Sequence, residues 1–445
     1  MTLYFMTRCG YPVLKEDIFF AKIQSPSGMQ IKICNTTTEK DFRPNPATVV
    51  LLDMCVGTHS VDEIIDILSE QCGEPREELT GEVEKILELL QEKNIITFKS
   101  TPLAKRIPAA KKVNVRYPIE FAQVEVTNRC NLSCVHCAND SGDPLPDELT
   151  TQEIFSLIDT LSSMGVRKIL LTGGEPLLNP DIFKIAEHAR KSPMHVIVFT
   201  NATLITEKHI KKFKKAGVNR FGTSIDSMDE DVHDTFRGQK GALKRALHGI
   251  TLLQKAGFPI EVNVSIAQIN KDHLVDILKY FKELNLTNYK IAAVRFSGRG
   301  IESVVVSPEE FYQVLVDQFT YFKEEFPEEI PHVYPGEEEG CGIARDIILI
   351  KADGTILPCP GATMDMAVGT IRDVNLEEFW DNNETLEMLR NIRIGKDSTC
   401  AECRFLAFCE GCVANAFLRE RRFRCYDPYT CAHYRAYEKV FGTAT

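Results

Sequence analysis

Phe121-Ala-Gln-Val-Glu-Val-Thr-Asn-Arg-Cys130-Asn-Leu-Ser-Cys134-Val-His-Cys137 is the stretch whose reading decides the fold of this chain. Phe121–Thr127 is a short apolar run of strand length. Directly after it, three cysteines stand on one loop in the spacing C-x3-C-x2-C. Three thiolates placed this way can bind three irons of a [4Fe–4S] cube, which normally takes four. No fourth cysteine lies nearby, so one iron is left open to another ligand. A structural zinc site with His136 as a ligand is the rival reading, but structural zinc prefers paired C-x2-4-C hooks.

Strand and helix alternate outward from this stretch. Candidate strands are Phe121–Thr127, Lys168–Thr172, His195–Thr200, Arg220–Ile225, Ile260–Ile266 and Tyr289–Phe296. Helical patterns fill the gaps at Thr151–Met164, Asp181–Lys191, Glu207–Ala216 and Lys244–Ala256. Alternation at this spacing means βα units on a parallel sheet. Six units are two short of an eight-fold barrel, so the fold class expected is α/β, a partial (β/α)6 TIM barrel over residues 115–330. The cysteine loop then lies at the C-terminal end of the first strand, where barrels place their chemistry.

The segment resembles the signature of the radical S-adenosylmethionine (SAM) superfamily, C-x3-C-x-φ-C, with His136 in the place φ, commonly aromatic. Further elements resemble that family in the right order. Leu171-Thr-Gly173-Gly174-Glu175-Pro176 follows the second strand and resembles the GGE motif. Glycines let backbone carbonyls approach the SAM ammonium, and Glu175 can accept from it. Thr200-Asn201 ends the third strand, and Ser224-Ile-Asp226, resembling the ribose-contacting motif, ends the fourth. Asn263, Ser265 and Arg295 are lesser candidates, with Val264, Ile266 and Ala293 as the alternative cofactor-facing set. The resemblance implies a [4Fe–4S] cluster on Cys130, Cys134 and Cys137 that binds SAM and cleaves it to a 5′-deoxyadenosyl radical. No residue is identified as the catalytic acid or base.

Eight more cysteines crowd residues 341–431. They run Cys341-x12-Gly354-x4-Cys359, then Cys400-x2-Cys403-x5-Cys409-x2-Cys412, then Cys425 and Cys431. Such regions fold around metals, and so many cysteines with so little histidine suit iron–sulfur cubes better than zinc. Residues 335–445 resemble the SPASM extension, a C-terminal iron–sulfur domain with two auxiliary [4Fe–4S] clusters. The resemblance implies Cys341, Cys359 and Cys412 for the first cluster and Cys400, Cys403, Cys409 and Cys431 for the second. The x2 spacing before Cys412 departs from the x3 of the pattern. Cys425 is surplus: it completes the first cluster, replaces Cys431, or is a spectator. Gly354, Gly369, Asp373, Leu376 and Trp380 resemble the hairpin and helix between the cysteine groups, with an Asp353-Gly354 turn.

The first hundred residues predict a small winged-helix-like unit. Ile18–Ile23 and Met29–Cys34 flank a turn, Leu51–Leu68 reads as helical with Ser60 as an N-cap, Arg76–Lys93 as a helix and Asn94–Phe98 as a strand. Residues 1–103 resemble PqqD-like peptide-recognition domains, which offer a strand edge to a leader peptide. The combined resemblance implies a maturase that crosslinks a ribosomal precursor peptide, a thioether or carbon–carbon bond being the expected product. The partners implied are that peptide and an electron donor such as flavodoxin or ferredoxin. A radical SAM enzyme on a haem precursor and a non-catalytic metal-binding module are the rival functions.

Bulk properties agree. The formal net charge of −11 and acidic helices argue against nucleic acid as a partner. No run of about 18 apolar residues predicts a spanning helix, and Met1–Lys15 does not read as a signal peptide. A cytoplasmic setting, where thiols stay reduced, is therefore expected for the fifteen cysteines. Cys9, Cys34, Cys55 and Cys72 read as small buried hydrophobes.

Overall fold

The computed structural model describes residues 10–25, 28–104, 111–113, 115–327, 341–393, 400–406, 409, 411–424 and 426–442. They form two compact units: the described residues up to 118 with 159–168 and 191–195, and the remainder.

In the first unit, strands β1 (Tyr11–Leu14), β2 (Ile18–Ser25), β3 (Gly28–Asn35) and β4 (Lys40–Phe42) precede helices Pro46–Met54, Val61–Cys72 and Arg76–Glu92. Strands β5 (Ile96–Lys99) and β6 (Lys111–Val113) follow. β2 and β3 pair antiparallel from Ile18↔Asn35 to Ser25↔Gly28, as the turn between two apolar runs predicts. The 51–68 stretch is two helices rather than one. The second begins at Ser60, whose Oγ accepts from Glu63 N at 3.2 Å while Glu63 Oε2 accepts from Ser60 N at 2.7 Å. This reciprocal cap satisfies donors that a helix start leaves bare. The closing strand β5 pairs with β1 instead of the hairpin. Leu52, Ile64, Leu87 and Ile96 share one core with Leu14 and Ile33. Cys34 and Cys55 are buried as expected, whereas Cys72 is exposed; Cys9 lies outside the described residues.

In the second unit β7 (Phe121–Glu125), β8 (Lys168–Thr172), β9 (His195–Phe199), β10 (Arg220–Ser224), β11 (Ile260–Ile266) and β12 (Tyr289–Ala293) stand in chain order in one sheet. β9 to β12 pair in parallel. Helices Thr151–Ser163, Ile182–Lys191, Glu207–Ala216, Ala242–Lys255 and Leu274–Glu283 supply the crossovers.

The sheet is larger than six strands. β13 (Ile347–Ile350), from the cysteine-rich region, adds parallel to β7 with Ile350 opposite Val124. β14 (Thr355–Leu357) and β15 (Gly369–Thr370) extend it antiparallel. The run Ile-Ile-Leu-Ile is too short and uniform to show a period, which hid this seventh parallel strand from the sequence pattern. The Asp353-Gly354 turn joins β13 to β14 with Gly354 at φ 88°.

Residues on β11 alternate. Ile260, Val262, Val264 and Ile266 are buried, and Glu261, Asn263 and Ser265 lie on the other, half-buried face. Val264 and Ile266 therefore belong to the buried face of β11.

Candidate active site

β7 ends at Glu125 and the chain enters the cysteine loop. Cys130 and Cys137 pack around the buried cluster Leu132, Cys134 and Ala242, which brings the trio together. Burial pushes the Cys130 thiol up to about 11, with Glu175, Cys134 and Cys137 adding to the rise. Free thiols in this setting resist ionisation, so cations must hold them as thiolates. Backbone amides already point at sulfur: Leu132 N donates to Cys130 Sγ at 3.5 Å and Ser141 N to Cys137 Sγ at 3.4 Å.

Glycines grip the loop. A Cβ on Gly173 would lie 2.1 Å from Thr127 O, and one on Gly174 2.3 Å from Arg129 O and 2.5 Å from Asn128 O. Gly174 N donates to Thr127 O and Glu175 N to Arg129 O. Gly238 and Gly298 approach the carbonyls of Ser133 and Cys137 as closely. Arg299 completes the clamp: its N donates to Cys137 O at 2.9 Å, its Nε to Cys134 O at 2.7 Å, and its Nη1 to Asp140 Oδ1 at 2.6 Å.

Glu175 is fully buried. Its Oε1 accepts from Thr200 Oγ1 at 2.7 Å, and its Oε2 from Asn201 N at 2.8 Å. Burial pushes its carboxyl up to about 7 against those hydrogen bonds. The carboxylate ties the second strand end to the third and keeps acceptor capacity beyond these bonds. The reason is tertiary, because Thr200 and Asn201 arrive from another βα unit. Asn201 in turn donates from Nδ2 to Asn131 Oδ1 at 2.9 Å, inside the cysteine loop.

Asp226 is also turned inward. Arg237 Nε donates to Asp226 Oδ2 at 2.6 Å, and Ser265 N donates to Oδ1 at 2.8 Å. Burial alone would raise the Asp226 carboxyl, but the Arg237 guanidinium overrides it and holds it below the usual carboxylate range. Arg237 Nη1 reaches 3.9 Å from Cys134 Sγ, so a buried cation stands beside one cysteine of the trio. His136 stacks on Phe236 with centroids 3.8 Å apart. Burial pushes its imidazole down to about 3, which keeps it neutral.

On β10 and β11, the buried Thr223 Oγ1 and Asn263 Oδ1 have no hydrogen-bond partner among the described residues. Ser224 stands opposite Asn263 in the β10–β11 register, so the two share a face at the sheet's C-terminal end. An orphan acceptor beside a hydroxyl suits a ligand bearing hydroxyl groups, as the SAM ribose does.

The later cysteines form two groups. Burial pushes Cys359 up to about 12, and the nearby Cys341 and Cys412 thiols add to it. Cys412 caps the helix Val413–Glu420, its Sγ accepting from Asn415 N at 3.5 Å. Burial pushes Cys431 up to about 11, with Cys409, Cys400 and Cys403 as neighbours. Cys425 lies outside the described residues. Among those residues no three His, Cys, Asp or Glu side chains are gathered as ligands of a single ion. The donor set, two cysteine groups and a trio, fits iron–sulfur clusters.

A Radical SAM superfamily model matches residues 124–287. The AdoMet-dependent heme synthase of Methanosarcina barkeri is 31% identical over 331 residues, covering 68% of this chain and 94% of that protein. This chain belongs to the radical SAM superfamily. Two more models match: SPASM, an iron-sulfur cluster-binding domain, over 341–404, and PqqD, coenzyme PQQ synthesis protein D, over 34–96. The antilisterial bacteriocin subtilosin biosynthesis protein AlbA of Bacillus subtilis is 24% identical over 415 residues, covering 90% of this chain and 92% of that one. In structure the chain is similar to Streptococcus suis SuiB bound to precursor peptide SuiA. The TM-score is 0.63 at 15% identity, over 94% of this chain and 99% of that one. The radical SAM enzyme is therefore one that binds SAM and a [4Fe–4S] cluster, with auxiliary clusters in its SPASM domain.

Sequence reasoning missed Asn131, Phe236, Arg237 and Arg299. Two had a signal: Arg237-Gly238 and Gly298-Arg299 pair an arginine with a glycine where a backbone must pass closely. Among the described residues no helix is long and apolar enough to cross a membrane.

Proposed function

We propose that this radical SAM enzyme matures a ribosomally made precursor peptide, forming a thioether or carbon–carbon crosslink. The observation that carries it is the PqqD match over 34–96 on a chain that also carries radical SAM and SPASM domains. The peptide-bound likeness to SuiB over nearly the whole chain supports it. Residues 1–103 take the leader, 115–330 form the radical SAM barrel, and 335–445 form the auxiliary domain.

Cys130, Cys134 and Cys137 hold the SAM cluster. Cys341, Cys359 and Cys412 hold the first auxiliary cluster, and Cys400, Cys403, Cys409 and Cys431 the second. Bound SAM and its cluster would supply a 5′-deoxyadenosyl radical able to take a hydrogen atom from a peptide carbon; as the crosslink closes, the second hydrogen would leave as a proton and its electron would pass to an auxiliary cluster. The chain's own residues hold this centre still. Gly173 and Gly174 seat the loop, Glu175, Thr200 and Asn201 lock neighbouring strand ends, and Ser224 with Asn263 face the ribose. Arg237 places positive charge beside Cys134, where net charge and hydrogen bonds to sulfur set a cluster's potential. A flavodoxin or ferredoxin supplies the electron, and the cytoplasm, where thiols stay reduced, is where the enzyme works.

A second reading, action on a haem precursor, is favoured by the 31% identity to a heme synthase. The test is the reconstituted enzyme with SAM, a reductant and the peptide of a short cysteine-containing open reading frame beside its gene. Loss of two hydrogens from the peptide by mass spectrometry supports maturation. An unchanged peptide that does not bind residues 1–103, with turnover of a haem precursor, refutes it.

A further inference from the structure

A cavity of about 260 Å³ opens between the last barrel strand and the two C-terminal helices. One wall is the consecutive run 291–296, which includes the end of β12, an outermost strand of the sheet. Opposite lie the helices Val413–Glu420 and Pro428–Phe441. Ile291, Phe296, Phe311 and Leu418 make much of the lining apolar.

Its charges are unequal. Asp427 lies in the lining, but its carboxylate is engaged. Oδ1 accepts from Tyr429 N at 3.2 Å, and Oδ2 from Thr430 Oγ1 at 2.8 Å and Asn415 Nδ2 at 3.1 Å. His433 also stands in the lining, its ring 5.3 Å from that of Phe319. Two guanidinium groups face these. Arg295 spends one Nη1 on Gly361 O at 3.1 Å. Arg419 lies 5.5 Å over the Tyr429 ring and has no hydrogen bond or ion pair among the described residues. Arginine's fork of donors matches a carboxylate. An apolar cavity with a few convergent polar groups is also the usual form of a small-ligand site. Gly361, which Arg295 contacts, stands two residues after Cys359, so the cavity adjoins the first group of later cysteines.

We propose that this cavity binds a carboxylate of the substrate, with Arg419 and Arg295 as its receptors and an apolar stem lying along β12. On the peptide reading, from which the natural source follows, the group is an acidic side chain or the C-terminal carboxylate. The test uses the full-length reconstituted enzyme and two probes of one shape, 3-phenylpropanoate and 3-phenylpropanamide, with binding followed by ligand-observed NMR. The carboxylate should bind at least about tenfold more tightly than the amide, as one charge-assisted contact implies. Arg419→Met should erase that preference, Arg419→Lys should keep part of it, and amide binding should not change. Equal binding of the two probes, or an unaltered preference in Arg419→Met, overturns the site. The probes are not peptides, so this result stands apart from the fate of the peptide reading. Amidating either the C-terminus or the acidic side chains of a modified peptide then distinguishes the two sources.

Discussion

Replacing Asp226 by asparagine tests the core of the site. The carboxylate is fully buried, accepts from Arg237 Nε at 2.6 Å and from Ser265 N at 2.8 Å, and balances a buried guanidinium. Asparagine fits the space and retains one acceptor for Ser265, but it leaves Arg237 charged and without its counterion. Breaking a buried pair from one side costs about 3–5 kcal/mol. A folded domain has only about 5–15 kcal/mol in hand, so the barrel's denaturant midpoint should fall steeply. The pH dependence follows from the same geometry. Arg237 holds the folded carboxyl below its ordinary value, so its contribution is present above the unfolded pKa. It is lost only as pH falls through the folded one. The gap between wild type and Asp226→Asn should therefore stay flat from about pH 8 to 5 and close in stronger acid. Chemical denaturation followed by fluorescence across that range is the assay. A loss under about 1 kcal/mol, the size of an ordinary neutral hydrogen bond, would refute the argument that the pair is desolvated. So would a gap that widens in acid.

Three further outcomes are expected. Gly174→Ala sets a Cβ against two backbone carbonyls that cannot give way, costing roughly 1–3 kcal/mol. The cysteine loop should shift with it, seen as iron retained per chain falling below wild type. Glu175 has the opposite pH sign to Asp226: burial raises its folded value to about 7, so its contribution is complete below the unfolded value and lost as pH rises through 7. Relative to Glu175→Gln, the wild-type apoprotein should gain up to about 3 kcal/mol between pH 8 and 4, measured by denaturant midpoints. Lys351→Met strands Glu125, which is buried, bonded to Asn139 and 2.9 Å from the Lys351 ammonium. Burial already raises Glu125, so the variant should lose about 3–5 kcal/mol at pH 8 and recover stability on acidification, read by thermal unfolding.

The βα alternation was legible because each strand and helix of the barrel carries its own period. All six strands, from Phe121 to Ala293, lie where the pattern puts them. β13 was not legible, since four apolar residues show no period and its place beside β7 depends on a partner more than 200 residues away. The Ser60–Glu63 cap was readable because it is local, and the break before it sits at Gly57, whose φ of 77° no helix adopts.

The same division holds in the site. Cysteine spacing, the Gly173-Gly174-Glu175 order and the second cysteine-rich region are properties of the chain alone, and they determine what chemistry is possible. Spacing cannot say which way a carboxylate turns. Only the folded structure decides that Glu175 faces Thr200 and Asn201, that Asp226 faces Arg237, and that Arg299 closes over the cysteine loop. Those contacts join residues from different βα units. Their energy comes from burial and from opposite charges brought together in a medium less polarisable than water, terms that exist only once the sheet has assembled.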